Sequence, residues 1–272
     1  MTLGDDALDR YARHIVLKEI GGEGQNKLLA AHVVLIGAGG IGAPALQYLA
    51  AAGVGRLTAV DDDRVSLDNL QRQVLFGTGD VGRPKVEAAA EAVARLNPDV
   101  RFEGVAERVG ADNVARLVAA ADVVLDGSDN FATRLLVSDH CTRARIPLVS
   151  AAIGQFQAQV GSFAGWHADR PCYRCFVGDA FDAEDCDSCS ELGVLGAMVG
   201  IAGSFAALEA IRLIVGFGAP PWGKLHVIDG LTPSMRTIRL VKDPACRGCG
   251  SGGQPPAEPV ELEQREAEQR PA

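Results

Sequence analysis

Val33-Val34-Leu35-Ile36-Gly37-Ala38-Gly39-Gly40-Ile41-Gly42, leading into Ala43–Ala52, decides the fold of this chain. A short β-branched and apolar run followed by clustered glycines and then small and long apolar residues predicts a buried strand, a tight turn and a helix packed on a sheet. Working outward, Leu57–Val60 predicts a second strand ending at Asp61, and Asp122–Asp126 an apolar strand bounded by acids. A helix is expected over Phe131–Ala144, and alternating strands and helices from Ala31 to about Ser150 imply a parallel sheet. Gln155–Phe163 and Leu225–Leu240 are strand-like and follow without intervening βαβ spacing. The fold class is therefore α/β, a Rossmann-like, mostly parallel sheet with an antiparallel C-terminal extension and a structural zinc site.

The glycine turn predicts chemistry as well as shape. Glycines let the backbone approach phosphate oxygens, and the free amides of a helix start supply donors and a partial positive charge. Phosphate is thus expected on Gly39 to Gly42, and Gly37, Gly39, Gly40 and Gly42 are the expected cofactor-binding glycines. Asp61 stands where a carboxylate accepts both ribose hydroxyls and repels a ribose phosphate. Alone, this fingerprint points most often to NAD or FAD. Asn69-Leu70-Gln71-Arg72-Gln73 and Gly82-Arg83-Pro84-Lys85 change that reading, because they place fixed cations where a nicotinamide needs a flat apolar pocket. Attack of an anionic carboxylate on a phosphorus is opposed by charge, and cationic clamps with magnesium offset the repulsion. Arg72 and Lys85 suit a triphosphate; the plain alternative is that they are solvated surface charges.

Gly127-Ser128-Asp129-Asn130 lies just past a strand end, on the rim where open α/β sheets bind ligands. The Asp129 carboxylate suits magnesium, with a cap for the following helix as the alternative. Six of the seven cysteines form three Cys-x-x-Cys pairs. Cys172/Cys175 and Cys246/Cys249 predict a closed site of four thiolates around zinc. Cys186/Cys189 either replaces one of those pairs or forms a redox dithiol. Cys141, alone in an expected helix, reads as packing.

These stretches, with Arg10-Tyr11-Ala12-Arg13-His14-Ile15, Ala51-Ala52-Gly53-Val54-Gly55, Cys172-Tyr173-Arg174-Cys175 and Cys246-Arg247-Gly248-Cys249-Gly250, resemble the ThiF/MoeB/HesA family. Its members are relatives of ubiquitin-activating enzymes that adenylate a sulfur-carrier protein, and the resemblance spans Arg10 to Gly250. It implies that Asp61 binds ribose, that Asn69, Arg72 and Lys85 hold phosphates, that Gln73 and Asn130 are also nucleotide-binding, and that Asp129 positions magnesium. It also implies that Arg13 reaches the site of a neighbouring subunit in a homodimer, and that Cys189 is a thiol able to react with the activated carrier. Relatives often carry Cys-Thr where this chain has Gly127-Ser128. The implied activity is ATP-dependent activation of the C-terminal glycine of a ubiquitin-like carrier ending in Gly-Gly, with molybdopterin synthesis first and the thiamine pathway as the alternative. A separate protein would donate sulfur. A nicotinamide or flavin oxidoreductase and a catalytically inactive carrier-binding scaffold are the competing readings.

The net charge of −9 leaves no basic footprint for nucleic acid. Cysteine usage without an N-terminal signal segment predicts a reducing, cytoplasmic setting. Leu192–Leu208 is apolar, with Gly196, Gly200 and Ser204 spaced by four, yet Glu209 and Arg212 follow too soon for a span, so a buried crossover or dimer helix is expected rather than a membrane segment. The acid-rich stretch Phe176–Ser188 reads as an exposed, mobile loop, which the family resemblance implies is a crossover loop over the path of the carrier's tail, and 251–272 reads as a disordered tail. The domain expectation is one adenylation domain over 1–250, with nucleotide binding in about 31–150 and carrier and zinc binding in about 151–250.

Overall fold

The computed structural model of the protein describes residues 3–178 and 193–250; Cys186, Cys189 and the C-terminal tail lie outside the described residues. Two helices lead, α1 (Asp5–Ile15) and α2 (Gly21–Ala30). An alternating series follows: β1 (His32–Ile36), α3 (Gly42–Ala51), β2 (Arg56–Val60), α4 (Lys85–Leu96), β3 (Arg101–Val105), α5 (Val114–Val118), β4 (Val123–Asp126), α6 (Phe131–Ala144) and β5 (Leu148–Gly154). The remainder comprises β6 (Gln157–Phe163), α7 (Tyr173–Val177), α8 (Gly196–Val215), β7 (Lys224–Asp229) and β8 (Ser234–Arg239).

All eight strands form one sheet in the order β3-β2-β1-β4-β5-β6-β7-β8. The first five run parallel, and from β5 onward every pairing is antiparallel. The strand-like run Leu225–Leu240 is a hairpin and not one strand. Asp229 turns it, its Oδ1 accepting from the amides of Leu231 (2.9 Å) and Thr232 (3.2 Å), the local bonding that makes aspartate a turn residue.

The two-residue period of a strand explains the layering. In β1, Val33 and Leu35 join one core with residues of α3, α4 and α8, while Val34 and Ile36 join the other with residues of α5 and α6. Helices therefore cover both faces, and strand order reverses between β1 and β4. That crevice is where such sheets bind ligands.

Among the described residues one helix, α8, is long and apolar enough to cross a membrane, and half of its apolar window is buried. Its inner glycines explain the small-residue pattern. A side chain on Gly203 would come 2.4 Å from the Ile41 carbonyl, and one on Gly196 2.2 Å from the Gln71 carbonyl, so α8 lies directly against the glycine turn and the segment before Arg72. Gly200 and Ser204 instead face outward with Ala197, Ile201, Phe205 and Leu208, lining an open apolar groove.

Candidate functional site

The glycine turn is built by two hydrogen-bonded ends and one tight crossing. Gly37 donates to Val60 O (2.9 Å) and Gly127 donates to Ile36 O (3.0 Å), so β1 stays paired with both neighbours to its C-terminal end. Gly37 has φ of 90°, a region glycine enters freely. A Cβ at residue 42 would sit 2.0 Å from Gly37 O. The last glycine of the fingerprint is thus required by the turn's own backbone, whatever the ligand.

Asp61, the residue after β2, faces this turn. Its Oδ2 accepts from the Ala38 amide (2.8 Å) and its Oδ1 from the Asp63 amide (2.9 Å). Burial pushes its carboxyl above the ordinary aspartate range, opposed first by Lys85 and then by those two amides. Lys85 opens α4 and is only 4% exposed; its Nζ lies 2.7 Å from Asp63 Oδ2 and 3.8 Å from Asp61 Oδ1. A cation at a helix N-terminus works against the helix dipole, and burying an ammonium there is justified only by the charges it meets.

Asn69 and Gln73 are also buried. The Gln73 amide lies at the turn, its Nε2 3.5 Å from where a Gly39 Cβ would be, while its buried Oε1 has no hydrogen-bond partner among the described residues. Buried amides are seldom left unpaired; the orphaned oxygen is an acceptor and calls for a donor, while Nε2, beside Gly39, is the atom able to donate to a phosphate there. Arg72 is half-buried and donates to the Asp68 carbonyl (2.9 Å), with its Cδ 4.0 Å from a Gly40 Cβ position. The structure thus brings together Gly37, Gly39, Gly40, Gly42, Asp61, Gln73, Arg72 and Lys85, with Asn69 one turn before Gln73.

Asp129 is exposed and makes no hydrogen bond or ion pair among the described residues. Asn130, not Asp129, caps α6, its Oδ1 accepting from the Thr133 amide at 2.8 Å. The aspartate is left idle on the rim beside the turn, a hard oxygen donor of the kind magnesium takes. Gly127 answers the departure from Cys-Thr: its Cβ position is filled to 3.1 Å by Ile41.

Arg13 stands apart. It is exposed on α1, whose Tyr11 ring packs on Gly53 and whose Tyr11 hydroxyl accepts from Asn97 (2.8 Å). Those contacts anchor α1 at the C-terminal ends of α3 and α4, the full length of α3, about 15 Å, from the glycine turn.

Beyond the sheet's other end, Cys172, Cys175, Cys246 and Cys249 bring their sulfurs within 4.8 Å of one another. The distances are 3.9 Å for Cys172–Cys175, 3.6 Å for Cys172–Cys246 and 3.4 Å for Cys175–Cys249. Zinc bound tetrahedrally at about 2.3 Å per sulfur sets sulfurs about 3.8 Å apart, so the cluster fits that ion. Hydrogen bonds among the thiols push Cys175 strongly down and Cys172 strongly up. Arg174 grips Asp139 of α6 through Nε and Nη2 (2.7 and 2.9 Å), fixing the first pair to that helix. Cys141 is buried, and burial pushes its thiol up, in keeping with packing.

Sequence reasoning missed Asp63, the close partner of Lys85, and the buried set Asp126, Arg134 and Ser150 beneath Asp129. The strand-like spacing of Asp61 and Asp63 was a signal for the former. Nothing in the sequence separates a buried Arg134 from a surface one.

The model of the ThiF family matches residues 11–248. The SAMP-activating enzyme E1 of Haloferax volcanii is 46% identical over 93% of both chains. Escherichia coli strain K12 supplies two further relatives, each 40% identical: molybdopterin-synthase adenylyltransferase (91% of this chain, 98% of the relative) and sulfur carrier protein ThiS adenylyltransferase (93% and 100%). Among solved structures, Escherichia coli MccB superposes with a TM-score of 0.78 at 24% identity, covering 93% of this chain and 75% of that one.

Proposed function

The chain belongs to the ThiF family, and on that premise we propose that it adenylates the C-terminal glycine of a ubiquitin-like sulfur-carrier protein at the expense of ATP. The observation that carries this reading is the convergence of Lys85, Arg72 and the Gln73 Nε2 donor on a glycine turn already fitted with a ribose-type aspartate. An oxidoreductase would want a flat apolar surface there, and a scaffold that only docks carriers would have no use for a buried ammonium.

The chemistry needs no base, because a carboxylate is already ionised at neutral pH. Asp61 holds the ribose hydroxyls, while the amides of the glycine turn and the Gln73 and Asn69 side chains orient the phosphates. Arg72 and Lys85 spread positive charge over the inner phosphates, so that the carrier's carboxylate oxygen bonds to the α-phosphorus as the bond to pyrophosphate breaks. The products are an acyl-adenylate, ready to accept sulfur, and pyrophosphate. Magnesium, held by Asp129, would neutralise phosphate charge. Zinc on the four cysteines would staple residues 242–250 to α7 and leave the chemistry alone.

The active form is a homodimer in which Arg13 serves the partner's nucleotide. Its distance from its own turn supports this, as does the apolar groove on α8, a surface suited to another chain. The 250 residues act as one adenylation unit, and the carrier lies toward the antiparallel half. Cys189 remains the proposed thiol for the activated carrier, and a separate protein supplies sulfur in the cytoplasm. Molybdopterin synthesis is the preferred pathway; equal identity to the ThiS enzyme keeps thiamine synthesis as the second reading.

Carrier-dependent exchange of labelled pyrophosphate into ATP tests the reaction. Exchange is expected only with a carrier ending in Gly-Gly; nucleotide binding with no exchange for either carrier type would sink it. For the metal, Cys246→Ser is expected to lose the bound zinc and, if that costs several kcal/mol, to lower Tm by roughly 10 °C or more. Unchanged metal content and Tm would remove zinc from the structure.

A further inference from the structure

Asp126, the last residue of β4, is fully buried. Its Oδ1 accepts from both the amide (3.0 Å) and the hydroxyl (2.7 Å) of Ser128, and its Oδ2, with no hydrogen bond among the described residues, faces Arg134 Nη1 at 3.9 Å. Arg134, on the first turns of α6 and 5% exposed, donates through Nη1 to Ser150 Oγ (3.1 Å) and through Nη2 to the Ser128 carbonyl. Ser128 is thereby clamped at both its amide and its carbonyl. The carbonyl belongs to the peptide bond of Asp129, and a planar peptide transmits that clamp to the Asp129 backbone. On the other side, Asn130 is fixed by capping α6. The exposed, unpaired carboxylate of Asp129 thus stands on a backbone pinned from both sides.

A buried ion pair is a poor investment in stability, since desolvation consumes most of the attraction. What an arginine offers here is a rigid fork that reaches the β4 carboxylate, the loop carbonyl and the β5 hydroxyl together, which the single ammonium of lysine cannot do. Resting on the adenylation reading above, we propose that Arg134, with Asp126, is a positioning residue that aims Asp129 at the magnesium accompanying ATP.

ATP affinity measured with excess magnesium and again with chelator tests this on the full chain. For Arg134→Lys the metal-free affinity is expected to match wild type, while the magnesium concentration giving half of the metal-dependent gain rises roughly 10- to 100-fold. Asp129→Asn should show the same shift, and the double variant no larger one. Should Arg134→Lys fail to fold, Asp126→Asn breaks the same clamp from the other side and carries the same expectation. Equal losses with and without metal would mark a purely structural arginine and overturn the inference, as would an unshifted magnesium dependence. Wild-type protein that binds no ATP would instead bring down the adenylation reading, and this inference with it.

Discussion

Replacing Arg72 by alanine is expected to cut pyrophosphate exchange roughly a thousandfold or more, the scale on which an arginine acts when it stabilises charge in phosphoryl chemistry. The protein should stay folded. Arg72 makes one hydrogen bond, to a neighbouring carbonyl, and no ion pair among the described residues, so its loss should change stability by no more than about 0.5 kcal/mol. Circular dichroism and Tm read the second quantity, isotope exchange the first. Mixing this variant with Arg13→Ala then tests the shared site. Each homodimer is inactive, but a mixed dimer holds one site with both arginines intact, so random exchange of subunits should restore about a quarter of wild-type activity. An exchange rate for Arg72→Ala within threefold of wild type would remove the residue from the mechanism, and a silent mixture would place Arg13 elsewhere.

Lys85→Met is expected to abolish ATP binding and, unlike Arg72→Ala, to leave a signature in stability. The Lys85 ammonium does most to hold the Asp61 carboxyl down against burial. Without the ammonium, the folded-state pKa of Asp61, already above its unfolded value, rises further. A raised carboxylate pKa means that the protonated form suits the fold. The associated stability is present in acid and is lost as pH climbs through the folded value, so the Tm deficit of Lys85→Met should be small near pH 5 and larger near pH 8. Adding Asp61→Asn should flatten that dependence without returning activity. A deficit independent of pH would show that Lys85 does not govern the buried carboxylate.

The parallel half of the fold was legible because its signals are local. Val33–Ile36 followed by glycines fixes a strand and turn, and the ends of β2 and β4 are marked by Asp61 and Asp126. The residues that gather at the turn, Asp61, Arg72, Gln73 and Lys85, were likewise found by order along the chain. The glycine fingerprint itself could not name the nucleotide. Gly42 answers a contact with Gly37 O that arises in any such turn, so it is common to unlike ligands. What stayed hidden depends on neighbours distant in sequence: Arg134 meets Ser150 across 16 residues, and Gly196 and Gly203 are small because α8 returns to the loops around Gln71 and Ile41. Helical periodicity announces a close approach there without saying what is approached. The hairpin of β7 and β8 was the plainest miss, since Asp229-Gly230 carried a turn signal inside an apolar run.

The thiol cluster also imposes an order of events on the newborn chain. Cys172 and Cys246 touch across 74 positions, and the intervening stretch includes α8, β7 and β8. The sheet from β3 to β5 is complete before the first cysteine pair is synthesised, while the second pair follows every strand. Those four sulfurs can therefore hold a metal only late in the biogenesis of this molecule, after the crevice between β1 and β4 has had time to form on the ribosome.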